Sequence, residues 1–311
     1  MIIKYTNTIS YSALLVTYKP TDLIYEAVAS ILAQKIKPME LILINDASDN
    51  LDINRVRNLI SPDIKFISYR NEENVGASAS RNKAVELSSC EFIIFFDDDD
   101  VSTSLRSEVH LEAFMLGASV SYVSSTKQYS NGYKIFFENP DIYSHKVNPQ
   151  LMAKKLLAGY GKGELIGAIP CATLAMRKSA FANVGGFDPS FRRLEDVDIA
   201  LRLGIAQETF AWSSALGVER KSTARNDKGG LIDVQHEKKL VNKFQYLLDS
   251  RSFSIANAQI NLRATYFGGI SNIQFGNLTK ILVNRYSYLL ILTRISRFIS
   301  RIIHDYRQRK K

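Results

Sequence analysis

The sequence predicts an α/β protein, a mostly parallel sheet flanked by helices, with a helical C-terminal extension. Three observations point there. Short apolar runs alternate with amphipathic stretches through the first hundred residues. Those runs end in polar clusters, Thr17-Tyr18, Asn45-Asp46 and Asp97-Asp98-Asp99-Asp100. No glycine fingerprint of a dinucleotide fold and no lysine-bearing phosphate loop accompanies them.

The elements follow in order. Tyr11 to Thr17 (YSALLVT) is a β-type run closed by Tyr18-Lys19-Pro20. Thr21 or Asp22 can cap the next helix, whose apolar residues Leu23, Ala27, Ile31 and Leu32 recur at helical spacing. Glu40 to Ile44 is a second strand, and Asn45 to Asn50 is turn chemistry. Ile53 to Ile60 reads as a helix, Ile64 to Tyr69 as a strand and Ala77 to Leu87 as a helix. Glu91 to Phe96 (EFIIFF) has the composition of a strand buried on both faces, and it runs into the four aspartates. In a parallel sheet, ligands bind at the carboxyl ends of the strands, so the polar clusters share one rim.

The second half is less regular. Ser104 to Leu116, Pro149 to Leu157 and Glu195 to Leu203 read as helices; Ser119 to Ser125, Tyr133 to Phe137 and Ala172 to Met176 read as strands. Gly159 to Gly167 reads as a loop. The expected organisation is a catalytic domain over 1–215, with a nucleotide-binding half (1–100) and an acceptor half (101–215), and a mainly helical extension over 216–311.

Composition narrows the function. Cys90 and Cys171 are the only cysteines, too few for a disulfide scaffold, so a reduced cytoplasmic chain is expected. Four scattered histidines do not make a zinc site. No signal segment and no run of about 18 apolar residues is present. Between Lys280 and Lys311 lie nine basic residues and one acidic one, which is +8 of the net +9. The rest is nearly neutral, so nucleic acid is not an expected partner.

Four adjacent carboxylates after a buried strand repel one another unless a cation neutralises them. Hard oxygen ligands suit Mn²⁺ or Mg²⁺, which would also hold a diphosphate. The bland reading is a solvated acidic turn or a helix N-cap cluster.

Five stretches in order carry a family resemblance: Leu14-Leu15-Val16-Thr17-Tyr18 with Ser30 to Gln34, Leu41 to Asp49, Asn74-Val75-Gly76 with Ala79 to Ala84, the aspartate run, and Gly185-Gly186-Phe187-Asp188 followed by Glu195-Asp196 and Leu201-Arg202. The chain resembles family 2 glycosyltransferases, which are inverting enzymes with the Rossmann-like GT-A fold, across roughly Ser12 to Leu203. That resemblance implies a nucleotide-sugar donor, UDP-linked, and a glycan or lipid-linked acceptor in cell-surface polysaccharide synthesis. It implies Asp196 as general base with Glu195 setting its position. It implies Asp97 and Asp99 as metal ligands, and Thr17, Tyr18, Asp46, Arg81 and Asp98 as nucleotide contacts, Asp46 toward a uracil-type N–H. The chain departs from the pattern at Asn45, where the family usually has aspartate, at Val16, where it commonly has proline, and at Asp98, where a small residue is usual. A basic group near the leaving diphosphate could come from Arg220, Lys221 or Arg225.

Two rivals remain at this stage: a sugar nucleotidyltransferase, and a non-catalytic, membrane-associated sugar-nucleotide-binding protein. The C-terminal segment, with Arg294, Arg297 and Arg301 at helical spacing among apolar residues, has the pattern of a basic amphipathic helix on an anionic membrane. It places the enzyme on the cytoplasmic face of the inner membrane; the bland reading packs this helix on the domain.

Overall fold

β-branched and aromatic residues fill the first strands because both faces of the sheet are covered. The computed structural model describes residues 9–129, 132–159, 167–221 and 231–268. The first half runs β1 (Tyr11–Thr17), α1 (Leu23–Leu32), β2 (Glu40–Asn45), α2 (Ile53–Leu59), β3 (Lys65–Arg70), α3 (Ala77–Leu87), β4 (Phe92–Asp97). It continues with β5 (Asp100–Ser102), α4 (Arg106–Met115), β6 (Val120–Gln128), β7 (Lys134–Phe137), β8 (Ile142–Lys146) and α5 (Pro149–Ala153). Then come β9 (Leu174–Arg177), α6 (Lys178–Asn183), α7 (Glu195–Ile205), β10 (Thr209–Arg220), α8 (Leu231–Lys243) and α9 (Ser250–Gly268). The described residues form two compact units, one of residues 9–156 and 167–221, the other of 157–159 and 231–268.

Among the described residues the sheet has ten strands, eight of them in the order β3-β2-β1-β4-β9-β6-β10-β5, with β7 beside β6 and β8 beside β10. Pairing is parallel across β3, β2, β1 and β4, antiparallel on both sides of β9, and parallel again between β6 and β10. Register levels the strand ends: Thr17 pairs with Asn45, and Val16 with Asp97.

One face of the sheet buries Leu15, Leu43, Ile94 and Phe96 against Ile24, Val28 and Ile31 of α1 and Leu111 and Phe114 of α4. On β4, Phe95 packs edge-on to Phe187 at 5.5 Å and lies 6.4 Å from Phe181. The FIIFF run is continuous because it is covered from both sides. Burying one such ring contributes roughly 1.5–3 kcal/mol.

Several sequence expectations need correction. Asp22 does not cap α1: its carboxylate meets Arg55 at 3.2 Å, while the Thr21 hydroxyl accepts from Leu23 N at 3.4 Å. Asp100 opens the short strand β5, not a helix, so the N-cap reading of the aspartates fails. The expected helix Pro149 to Leu157 is α-helical only to Ala153 and then widens into a π turn over Lys154–Ala158. β8 and β10 were not anticipated. β10 (TFAWSSALGVER) shows no clean alternation because its register shifts between Ser213 and Leu216 and between Leu216 and Val218. No helix among the described residues is long and apolar enough to cross a membrane. Residues 280–311, Arg225 and most of the Gly159–Gly167 loop lie outside the described residues.

Candidate active site

The loops after β1 and β2 bend sharply: Lys19 and Ala47 hold positive φ (50° and 61°) immediately beyond the strand ends. Asn45 closes the second turn with both amide atoms, donating to Ser48 O and accepting from Ser48 N, each at 2.8 Å. An aspartate could not make the first of these bonds, which gives the Asn45 departure a structural reason.

Asp46 is buried, and its carboxylate accepts four hydrogen bonds: from Asn71 Nδ2 and Asn74 Nδ2 (2.8 Å each), Val75 N (3.0 Å) and Gly76 N (2.9 Å). A carboxylate has about four lone-pair sites, so this set fills them. Asp46 therefore ties the Asn74-Val75-Gly76 loop to the end of β2. Thr17 is equally committed, because its hydroxyl donates to Asp98 Oδ2 at 2.5 Å and both residues are buried. Tyr18, by contrast, stands half-exposed at the rim.

Asp98 points inward; its neighbours point to the rim. Asp97, Asp99 and Asp100 each offer an oxygen, all within 4.8 Å of one another. Burial and the charges of Asp97 and Asp99 push the Asp100 carboxyl up to about 8. Three converging carboxylates fit a hard divalent cation. Arg220 pairs in register with Asp100 across the β5–β10 ladder, and Lys221 N donates to Asp100 Oδ1 at 3.2 Å. The Lys221 ammonium itself is engaged by Glu26. Of the two described candidates, Arg220 and Lys221, Arg220 is the one whose charge acts on Asp100.

Beneath this loop, Arg106 is sealed from water. It donates to Phe95 O at 2.6 Å and Ser102 Oγ at 3.0 Å, so it clamps the end of β4 to β5. Burial lowers its pKa to about 10, opposed by the nearby Asp97 and Asp100.

Arg81, on α3, joins the two acidic groups. Its guanidinium donates to Asp97 Oδ1 at 3.0 Å and to Glu195 Oε1 at 2.8 Å. Burial opposes its charge, but Asp97 and Glu195 on either side hold it firmly protonated. The adjacent Asn82 clamps the Gly-Gly-Phe segment, donating to Phe187 O at 2.8 Å and accepting from Phe187 N at 2.9 Å. A Cβ on Gly186 would lie 2.9 Å from Asn82 Oδ1, so that approach requires glycine. Ser78 donates to Phe191 O, and Arg192 to Asn74 Oδ1, at 2.8 and 2.6 Å. One helix thus binds the two halves of the sequence together.

Leu194, a bulky residue that is not β-branched, holds a left-handed φ of 63° at the N-cap of α7. Backbone strain of this kind is costly and needs support from its surroundings. It launches Glu195 and Asp196 as the first turn. Burial, reinforced by Glu195, pushes the Asp196 carboxyl up to about 7, against the opposing pull of Val197 N and Arg81. One turn on, Asp198 is fully buried and pairs with Arg202 at 2.6 Å.

Sequence reasoning did not place Cys171, Asn71 or Arg192 here, and it gave Asp100 only as a member of the aspartate run. The Cys171 thiol is buried beside Arg81, Glu195, Asp196 and Asp97, and burial raises its pKa far above the usual thiol range. No local signal marked it, since its neighbours come from three other elements.

The mostly parallel sheet flanked by helices, with a carboxylate cluster at its carboxyl rim, is the GT-A architecture. Residues 1–349 of TarS from S. aureus, solved with UDP-GlcNAc, superpose with a TM-score of 0.60 over 83% of this chain and 73% of that one, at 14% identity. The sequence profile of the family described as Glycosyl transferase family 2 matches residues 12–184, and the chain belongs to that family. It is 26% identical over 201 residues to the UDP-Glc:alpha-D-GlcNAc-diphosphoundecaprenol beta-1,3-glucosyltransferase WfaP of Escherichia coli, covering 62% of this chain and 69% of WfaP. It is also similar to the putative colanic acid biosynthesis glycosyl transferase WcaA of Escherichia coli K12, 29% identical over 191 residues, 60% of this chain and 63% of WcaA. Membership removes the nucleotidyltransferase alternative.

Proposed function

We propose that this enzyme moves a sugar, with inversion, from a UDP-linked donor to a hydroxyl of a glycan or lipid-linked acceptor in cell-surface polysaccharide synthesis. The observation that carries the reading is Arg81 held between Asp97 and Glu195, which sets a donor-type carboxylate cluster and a second acid pair in one site. Relatives named for undecaprenol-linked and colanic acid substrates support the acceptor class.

Asp97 and Asp99 would hold Mn²⁺ or Mg²⁺, which when bound supplies charge neutralisation for a diphosphate. Arg220, against Asp100, adds positive charge on that side. Tyr18 at the rim is the open nucleotide contact of the first strand. Thr17, Asp98 and Asp46 act by shaping the loops that receive the nucleotide. Asp196, ionised, takes the proton of the acceptor hydroxyl as the oxygen bonds to the anomeric carbon. The bond from that carbon to the diphosphate breaks, and its electron pair leaves with UDP. Glu195, anchored by Arg81, keeps the first turn of α7 in place.

The test is a panel of sugar nucleotides assayed for UDP release with Mn²⁺, with and without an undecaprenyl-diphosphate glycan. UDP release from none of them sinks the reading. The basic segment 280–311 is proposed to dock on an anionic inner-membrane surface. Sedimentation with anionic liposomes that is equal with and without those residues would refute it.

A further inference from the structure

Three buried polar groups on the β6–β10 face are not used by the mechanism above. Tyr122, Asn139 and Trp212 are 0%, 2% and 1% exposed. The Tyr122 hydroxyl, Asn139 Nδ2 and Trp212 Nε1 have no hydrogen-bond partner among the described residues. Leaving one such group unpaired is costly, and three together is unusual for a folded interior.

They form a row. Tyr122 and Trp212 pair in register across β6 and β10, and their rings stack at 6.0 Å with 13° between planes. Trp212 stacks in turn on Phe210 at 5.3 Å. Gly167 lies between Trp212 and Asn139: a Cβ there would sit 2.4 Å from both Trp212 Cδ1 and Asn139 Oδ1. The Asn139 amide cannot simply be turned over. Its Oδ1 accepts from Ala168 N at 2.7 Å, which leaves Nδ2 as the unused atom. At the other end, the Tyr122 hydroxyl lies in the field of Asp196 and Cys171, which raises its pKa together with burial. Tyr122 also pairs in register with Leu174 of β9, the strand that directly follows the turn of Cys171.

The chemistry of the set is narrow. Indole N–H and amide NH₂ only donate, and a phenol donates readily. Such a set asks for oxygen acceptors. The geometry points to a sugar-recognition subsite in which Tyr122, Trp212 and Asn139 take the hydroxyl or carbonyl oxygens of the pyranose of the sugar nucleotide. It rests on the glycosyltransferase reading of the same site and adds which residues select the sugar. Ligand entry requires the backbone at Gly167 to shift, because it fills the space between Asn139 and Trp212.

Trp212 is the single tryptophan of the chain, so its fluorescence reports this subsite alone. The full chain is titrated with UDP, UDP-glucose and UDP-N-acetylglucosamine, with calorimetry alongside. UDP is expected to bind without changing Trp212 emission, and at least one UDP-sugar to shift it. In Tyr122→Phe, affinity for that UDP-sugar falls about fivefold to tenfold, the loss of one hydrogen bond, while UDP affinity stays within twofold. Unchanged UDP-sugar affinity in Tyr122→Phe, with a raised melting temperature, overturns the inference: the hydroxyl is then only an unsatisfied core group. An emission change on adding a glycan acceptor but none with any UDP-sugar also overturns it. If neither UDP nor any UDP-sugar binds, the donor reading itself has failed and takes the inference with it. That outcome is distinct, because it is seen before any variant is made.

Discussion

The two acidic groups of the site are both built from half-buried carboxylates and joined by one arginine, yet they differ in how their charges are arranged. Asp97, Asp99 and Asp100 converge at a rim, where their mutual repulsion calls for a cation. Glu195 and Asp196 start a helix just after Leu194; both are half-buried, and lost hydration together with the charge of Glu195 pushes the Asp196 carboxyl up to about 7. Environment, not residue type, separates a ligand cluster from a proton acceptor.

Several experiments break or sharpen that contrast. The largest effect is expected from Asp196→Asn: kcat for transfer falls by about a hundredfold to ten-thousandfold, with UDP binding preserved. Removing the charge should also stabilise the fold at pH 8. The folded carboxyl titrates at about 7, above its unfolded value, so the folded state binds more protons and stability is lost as pH rises from the unfolded pKa through 7. A lower melting temperature for this variant at pH 8 would show that Asp196 is not strained by its burial. In the wild type, kcat should climb with pH to a plateau above about 7, because the base must be ionised; a flat profile from pH 5.5 to 8.5 excludes Asp196 as that base.

Next comes the rim cluster. Chelation should abolish transfer and Mn²⁺ restore it, while Asp99→Ala should weaken Mn²⁺ binding measured by paramagnetic resonance. Activity that survives thorough chelation removes the ion from the mechanism. Arg81→Met severs the link between the groups and leaves Glu195 and Asp97 without their cation; loss of a buried partner costs about 3–5 kcal/mol in denaturant unfolding. A change below about 1 kcal/mol would mean the halves are held together by Asn82 and Ser78 instead. The smallest effect belongs to Asn45→Asp, which deletes the donor to Ser48 O and should cost about 1 kcal/mol. No loss there would make the Asn45 departure neutral.

Much of the first half was legible in the sequence because its signals are local. An apolar run such as EFIIFF shows a doubly buried strand wherever it lies, and polar residues at consecutive strand ends fall on one rim by parallel topology alone. The second half hid its long strand. β10 is bulged and carries serines and a glycine, so its pairing with β6 obeys tertiary contacts and no periodicity.

What the sequence determined by itself was the mostly parallel sheet, the family, and which carboxylates are candidates for the site. What only the tertiary structure decided was how those residues are spent. Asp46 uses its lone pairs on Asn71 and the Asn74–Gly76 loop, Thr17 spends its hydroxyl on Asp98, and Arg81 is divided between Asp97 and Glu195. A motif states that a polar group is present. Its partners come from segments up to a hundred and more residues away, and whether it stays free for substrate depends on which of them the fold brings within hydrogen-bond reach.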